Sequence, residues 1–256
     1  MKPKIGIALS GGGARGIAHI GVLKALEENS IFPDVVSGAS AGSIVGALYA
    51  AGKKPMEILK FVEKSKIYKT IRFGMPLKGL TDLSYLSELL AENIKEDRFE
   101  SLSKKLFIAV SNLNTGELEI ASKGKLFDFI VASSSIPFVF KPVLINGQYY
   151  VDGGLMNNLP AESIRKKIEY LIGVNVMPIL KNEKEDFQNM LRIGSRMFEM
   201  SIWTNTKPSL DLCDVVIEPQ GLVDYNIFSF NKFNELYEIG YEAAMDKMAQ
   251  IKSMIA

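Results

Sequence analysis

Ser40 lies in the pentad Gly38-Ala39-Ser40-Ala41-Gly42, which has the pattern of a nucleophile on a sharp strand-to-helix turn. Its small neighbours let the backbone turn tightly and leave the hydroxyl exposed. The run 34–37 before the pentad suits a short strand, and the run 42–51 suits a packed helix. Such a serine could attack an ester carbonyl and carry the acyl group as a covalent intermediate.

A glycine-rich stretch at 10–16 follows a predicted first strand and leads into a predicted helix. Residues without side chains expose consecutive backbone N–H groups there, which makes a cradle for a phosphate or for an ester oxyanion. The stretch also fits the dinucleotide pattern Gly-x-Gly-x-x-Gly. That alternative expects an acidic residue at the end of the second strand, where Gly38 and Ser40 stand instead. We therefore favour the oxyanion role.

Asp152 ends a predicted strand and is followed by Gly153 and Gly154. A carboxylate there could accept the Ser40 proton if the two side chains approach; a plain Asp-Gly-Gly turn is the alternative. The single histidine, His19, precedes Ser40, which excludes the Ser-Asp-His order of α/β-hydrolases. For His19 we favour packing or a backbone hydrogen bond over a role as the base. An ordinary carboxylate has a pKa near 4, so the hypothesis requires an enclosed Ser40–Asp152 pair.

Strand and helix patterns alternate along the chain and predict one α/β domain over residues 1–256, with helices on both faces of a sheet. Ligand sites of such folds lie at the carboxyl ends of the strands. The predicted strands are 4–9, 35–38, 106–110, 118–120, 143–145, 149–151, 170–176 and 215–217. The predicted helices are 14–28, 41–51, 55–66, 83–95, 124–135, 184–206 and 231–250.

Composition limits the possible functions. With 30 basic and 29 acidic residues the chain has no overall field to attract nucleic acid. One cysteine, Cys213, cannot form an internal disulfide, and no Cys/His cluster has metal-ligand spacing. We find no signal-peptide pattern and no run near the roughly 20 apolar residues that span a bilayer. The sequence therefore predicts a cytoplasmic protein, or one peripheral to a membrane.

Five segments together resemble the patatin-like phospholipases, particularly their short bacterial members: 11–16, 18–23, 38–42, 132–138 with Pro142, and 152–154. They occur in the family's order, and the resemblance runs from about residue 4 to about residue 220. It implies a patatin-like three-layer sandwich with a mostly parallel central sheet. It also implies hydrolysis of lipid acyl esters through an acyl-serine, with a Ser-Asp dyad and neither metal nor cofactor.

The resemblance also assigns roles to individual residues. It makes Ser40 the nucleophile, Asp152 the base, and the amides of Gly11, Gly12 and Gly13 the oxyanion hole. Gly38, Gly42, Gly153 and Gly154 are then the motif glycines that shape the two turns. Arg15, beside Gly16, matches a basic position of the glycine loop. It could orient the loop or face a phosphate, and a capping or surface interaction is an equal alternative.

Two segments could contact lipid. Residues 53–78 carry eight basic side chains against two acids, Glu57 and Glu63, and could dock on anionic lipid, with Phe73, Met75 and Leu77 as a lid. A solvated helix face followed by a loop is the commoner explanation of such a run. The cluster 227–230 could line an acyl channel, although core packing is the favoured explanation. The oligomeric state is not predicted.

Three functions remain open at this point. The leading hypothesis is a serine acyl hydrolase acting on phospholipids, lysophospholipids or related lipid esters. The second is an acyltransferase that passes the same acyl group from Ser40 to an alcohol or thiol. The third is a non-catalytic nucleotide- or lipid-binding protein that uses the glycine loop as an anion site.

Overall fold

The computed structural model describes residues 4–64, 83–178 and 190–256. Its strands are β1 (Ile5–Leu9), β2 (Val35–Gly38), β3 (Lys105–Asn112), β4 (Leu118–Ala121), β5 (Val143–Ile145), β6 (Gln148–Asp152), β7 (Tyr170–Val174) and β8 (Val215–Ile217). Its helices are α1 (Ala18–Glu28), α2 (Ala41–Ala50), α3 (Pro55–Lys64), α4 (Tyr85–Ala91), α5 (Phe127–Ser133), α6 (Glu162–Arg165), α7 (Met190–Leu210) and α8 (Phe233–Ile255).

The strands form one mixed sheet in the order β5-β6-β3-β2-β1-β7-β8, with β4 also paired to β3. The neighbours from β3 through β2, β1 and β7 to β8 are parallel, whereas β4 and β6 run antiparallel to β3. Parallel strands need crossovers that leave their helices on the faces of the sheet. The predicted α/β fold with a mostly parallel sheet is confirmed.

Apolar side chains cover both faces of the sheet. Along β1, Ile5, Ile7 and Leu9 belong to a large core, and Ala8 belongs to a smaller one. Successive strand residues point to opposite faces, so these cores lie on opposite sides. The large core includes the apolar faces of α1, α2, α3 and α8, and the smaller core includes residues of α6 and the end of α7. The sheet is therefore the middle of three layers.

The segment after β1 differs from the predicted helix 14–28. It begins as a 3-10 turn over Gly13–Ile17, and α1 starts only at Ala18. Gly13 has a φ of 57°, a conformation that favours glycine. A Cβ on Gly16 would stand 2.5 Å from the Cβ of Ala41, so a larger residue would push this turn away from α2. The tight turn keeps the glycine-rich stretch close to the start of α2.

Sheet register places three turns together. Leu9 of β1 pairs with Gly38 of the parallel strand β2, so the turns that follow these strands leave the same edge of the sheet. On the other side of β2, Gly38 pairs with Ile108 of β3. Two residues farther along β3, Val110 pairs with Asp152, the last residue of antiparallel β6. The glycine-rich turn, Ser40 and Asp152 are thereby brought to one edge.

Candidate active site

Ser40 is held in a strained turn between β2 and α2. Its φ of 49° and ψ of −124° are unfavourable for a residue with a side chain and cost on the order of 1–3 kcal/mol. The Ser40 N–H donates to the Ser133 hydroxyl at 2.8 Å, and that hydroxyl donates to the Ala109 carbonyl at 2.8 Å. Ser133 therefore links the Ser40 turn to β3 and helps to hold the strained backbone.

Asp152 lies beside Ser40 and is almost fully enclosed. The Gly154 N–H donates to its Oδ1 at 2.7 Å. Burial raises the pKa of Asp152 to about 7, whereas the interactions of its carboxylate with the Ser40 hydroxyl and the Gly154 N–H lower it. Ser40 is only 5% exposed and Asp152 2%, so the enclosure that the sequence hypothesis required is present. The expectation that the turn leaves the Ser40 hydroxyl exposed is wrong, because the surrounding segments cover it.

The three glycine amides of the predicted oxyanion hole are not equivalent. The Gly11 N–H donates to the Asn158 carbonyl at 3.1 Å, so it already has a partner and cannot serve an oxyanion without breaking that bond. Gly12 and Gly13 line a cavity together with Ser40 and Asp152. They also stand at the start of a helical turn, where N–H groups have no partner within the turn. The oxyanion role stays a prediction, and the geometry favours Gly12 and Gly13 over Gly11 as its donors.

Arg15 stabilises the glycine-rich turn from behind. The side chain is only 7% exposed, and its Nε donates to the Tyr225 carbonyl at 2.7 Å. Burial lowers the pKa of Arg15, and the nearby Glu199 carboxylate opposes that effect. Arg15 lines neither of the two cavities that contain Ser40. This geometry supports orientation of the loop.

His19 lies in the core on α1. It is fully buried, and its Nε2 donates to the Ser10 carbonyl at 2.8 Å. Burial lowers the pKa of His19 to about 4, so the ring is neutral near pH 7. His19 lines neither cavity that contains Ser40. The favoured expectation, packing with a backbone hydrogen bond, is confirmed.

Two cavities meet at Ser40. One is lined almost wholly by apolar side chains, among them Ile44, Leu86, Ile136, Phe140, Phe228 and Phe230. The other also has a mainly apolar surface, but Asp152, Asn158 and Glu199 are among the residues that line it. Phe228 and Phe230 belong to the cluster 227–230, for which core packing was the favoured explanation. The structure places both in the wall of the apolar cavity, and Phe230 also packs against the large core.

The basic segment 53–78 is described only up to residue 64. In that part Lys54, Lys60 and Lys64 are exposed, whereas Ile58 and Phe61 are buried. The remaining basic residues and the lid residues Phe73, Met75 and Leu77 lie outside the described residues, so contact with anionic lipid stays a prediction. Within the described ranges, no helix is long and apolar enough to cross a membrane, and no His, Cys, Asp and Glu cluster could hold a metal ion.

The sequence interpretation missed two residues of the site, Ser133 and Asn158. Ser133 lies in the segment 132–138, which contributed to the sequence interpretation only as part of the family resemblance. Asn158 follows the Asp-Gly-Gly turn, within the run Asn157-Asn158-Leu159-Pro160. The one signal for Asn158 was an amide side chain in a loop that leaves a candidate catalytic turn.

Comparison with known proteins shows which family the chain resembles. The model of the patatin-like phospholipase family matches residues 7–164. Lysophospholipase NTE1 of Candida albicans is 28% identical over 97% of this chain and 20% of its own length. Lysophospholipase NTE1 of Saccharomyces cerevisiae is 28% identical over 93% of this chain and 16% of its own length. The chain thus spans about a fifth of the curated relatives it matches.

Two solved structures share the fold. Human GIVD cytosolic phospholipase A2 aligns with a TM-score of 0.55 and 10% identity, over 99% of this chain and 60% of that protein. VipD from Legionella pneumophila aligns with a TM-score of 0.50 and 17% identity, over 93% of this chain and 67% of VipD. At such low identity these likenesses concern the fold alone. From the family match over most of the chain, we conclude that the chain belongs to the patatin-like phospholipase family.

Proposed function

We propose that this protein is a serine acyl hydrolase that cleaves the acyl ester of phospholipids, lysophospholipids or related lipid esters. The observation that carries the proposal is the enclosed pair of Ser40 and Asp152, which line one cavity and interact through the hydroxyl and the carboxyl group. A general base works best when its pKa lies near the working pH, and the value of about 7 for Asp152 meets that condition. The names of the related lysophospholipases give the class of substrate.

In the proposed first step, Ser40 Oγ attacks the acyl carbonyl carbon while Asp152 takes the hydroxyl proton. The oxyanion accepts hydrogen bonds from the Gly12 and Gly13 amides, and each such donor is worth about 3 kcal/mol of barrier. The bond from the acyl carbon to the alcohol oxygen then breaks, and the alcohol takes the proton from Asp152. The acyl group is left on Ser40.

In the second step, water attacks the acyl-Ser40 ester and gives its proton to Asp152. The bond from the acyl carbon to Ser40 Oγ breaks, the proton returns to Ser40, and the fatty acid leaves. The apolar cavity beside Ser40 suits the acyl chain because burial of each methylene group contributes about 0.8 kcal/mol. The cavity beside Asp152 is the proposed place for the alcohol and the water.

The test compares wild type, Ser40→Ala and a matched control, Ser37→Ala. Ser37 is also buried, lies on β2, and its hydroxyl has no hydrogen-bond partner among the described residues. A fluorophosphonate probe should label wild type and Ser37→Ala but not Ser40→Ala. Mass spectrometry should detect fatty acid released from lysophosphatidylcholine by the same two proteins. Absence of labelling in folded wild type would instead favour the non-catalytic binding protein.

A further inference from the structure

Asn158 is a buried polar residue of the site that takes no part in the steps above. It lies on the loop between β6 and α6, is 1% exposed, and lines the cavity that contains Ser40 and Asp152. Among the described residues, neither Oδ1 nor Nδ2 of its side chain has a hydrogen-bond partner. A buried polar group left unpaired costs about 1–3 kcal/mol, so its retention calls for a physical reason.

The Asn158 carboxamide sits between the two turns that carry the proposed chemistry. A Cβ on Gly11 would stand 2.5 Å from Asn158 Oδ1 and 3.0 Å from the Ser40 Cβ. A Cβ on Gly154 would stand 2.8 Å from Asn158 Oδ1 and 3.0 Å from Asp152 Oδ1. The side-chain amide is therefore close to both the nucleophile and the carboxylate.

The main chain of Asn158 is held by hydrogen bonds that do not involve its side-chain carboxamide. The Asn158 N–H donates to Asn205 Oδ1 at 2.9 Å, and its carbonyl accepts the Gly11 N–H at 3.1 Å. These bonds hold the residue against the glycine-rich turn and α7 without using the carboxamide. The polar atoms of the side chain are buried at the edge of the cavity and are not committed to a protein partner among the described residues.

We propose that Asn158 binds the water molecule that hydrolyses the acyl-Ser40 ester, an inference that rests on the proposed function. Water carries two hydrogens: one is donated to Asp152, which takes it as a proton, and the other is donated to the Asn158 carboxamide oxygen. A lone pair of the water then forms the bond to the acyl carbon. The bond to Ser40 Oγ breaks, and the proton passes from Asp152 to Ser40.

An alcohol acceptor makes a different demand on the site. Its single hydroxyl hydrogen goes to Asp152, so it has none left to donate to Asn158. Loss of the Asn158 carboxamide should therefore slow hydrolysis of the acyl-enzyme more than its transfer to methanol. This difference connects Asn158 to the choice between hydrolase and acyltransferase chemistry.

The test uses Asn158→Leu, which keeps the volume of the side chain, and Asn158→Ala, with Asn157→Ala as the matched control. Asn157 is buried in the same loop, but its Nδ2 donates to Glu162 and it does not line the cavity. With p-nitrophenyl butyrate, the Asn158 variants should release one equivalent of nitrophenolate at close to the wild-type rate. The following turnover should fall roughly 100-fold, the usual effect of losing the orientation of a reactant. Asn157→Ala should match wild type.

Added methanol should raise the ratio of methyl butyrate to butyrate at least about tenfold in the Asn158 variants relative to wild type. Equal losses in acylation and deacylation would overturn the proposal, as would deacylation within threefold of wild type. Thermal unfolding shows whether each variant is folded. If Asn158→Leu does not fold, the test is made with Asn158→Ala alone. If Ser40→Ala kept full turnover, the proposed function itself would fail, which distinguishes that failure from failure at Asn158.

Discussion

Asp152 and His19 are both buried ionisable side chains near the glycine-rich turn, and burial shifts the pKa of each toward its neutral form. The pKa of Asp152 rises to about 7 and that of His19 falls to about 4. Asp152 shares a cavity with Ser40, whereas His19 packs in the core and bonds to the Ser10 carbonyl. The same desolvation thus gives Asp152 a pKa suited to its proposed role as base, and leaves His19 a neutral ring in the core. Asp152 differs from His19 in sharing a cavity with Ser40 and in having a pKa near the working pH of a general base.

The largest expected effect is that of Asp152→Asn on hydrolysis. Asparagine keeps an oxygen to accept the Gly154 N–H, but it cannot take the Ser40 proton. We expect kcat with lysophosphatidylcholine to fall by about 10³-fold, which is typical of the loss of a general base. Steady-state release of fatty acid measures the change, with Asn157→Ala as a folded control.

The pH dependence of wild type provides an independent check on Asp152. Since the base must be ionised, kcat/KM should rise with pH and level off above an apparent pKa of about 7. A profile that levels off near pH 4 would point to an exposed carboxylate. Activity of Asp152→Asn within tenfold of wild type would remove Asp152 from the mechanism.

Asp152 and His19 should change the pH dependence of stability in opposite directions. The folded-state pKa of Asp152 lies above its unfolded value of 3.8, so its contribution to stability is complete below pH 3.8 and is lost as the pH rises through 7. The folded-state pKa of His19 lies below its unfolded value of 6.5. Its contribution is complete above pH 6.5 and is lost as the pH falls toward 4.

Single variants should separate these opposing slopes. Relative to wild type, the free energy of unfolding of Asp152→Asn should decrease by about 3–4 kcal/mol between pH 7 and pH 4. That of His19→Leu should increase by about 3 kcal/mol over the same range. Urea unfolding at both pH values measures the free energy of unfolding of each variant and of wild type. The titration of all other groups cancels when the value for wild type is subtracted. Parallel slopes for the two variants would contradict the burial of one residue or the other.

Local sequence patterns were sufficient to predict the Ser40 turn but not the residues that surround it. The predicted strand 35–38 and the helix from residue 41 match β2 and the start of α2, because small and β-branched residues determine a strand-turn-helix locally. Ser133 and Asn158 reach Ser40 from segments about 90 and 120 residues away. The partner of the Gly11 amide is likewise distant in sequence. Such contacts depend on the order of strands in the sheet, which periodicity does not reveal.

The smallest expected effect is that of His19→Gln. Glutamine can still donate to the Ser10 carbonyl from its amide, so the turn before Gly11 keeps its support and kcat should stay within about threefold of wild type. His19→Leu removes the donor and leaves a buried carbonyl unpaired, at a cost of about 1–3 kcal/mol in stability near pH 7. Its kcat should fall less than tenfold, since neither the base nor the nucleophile has changed. Release of fatty acid, measured beside thermal unfolding, separates the two effects. A loss of kcat in His19→Gln as large as that in Asp152→Asn would mean that the imidazole takes part in proton transfer, and the contrast between the two buried groups would fail.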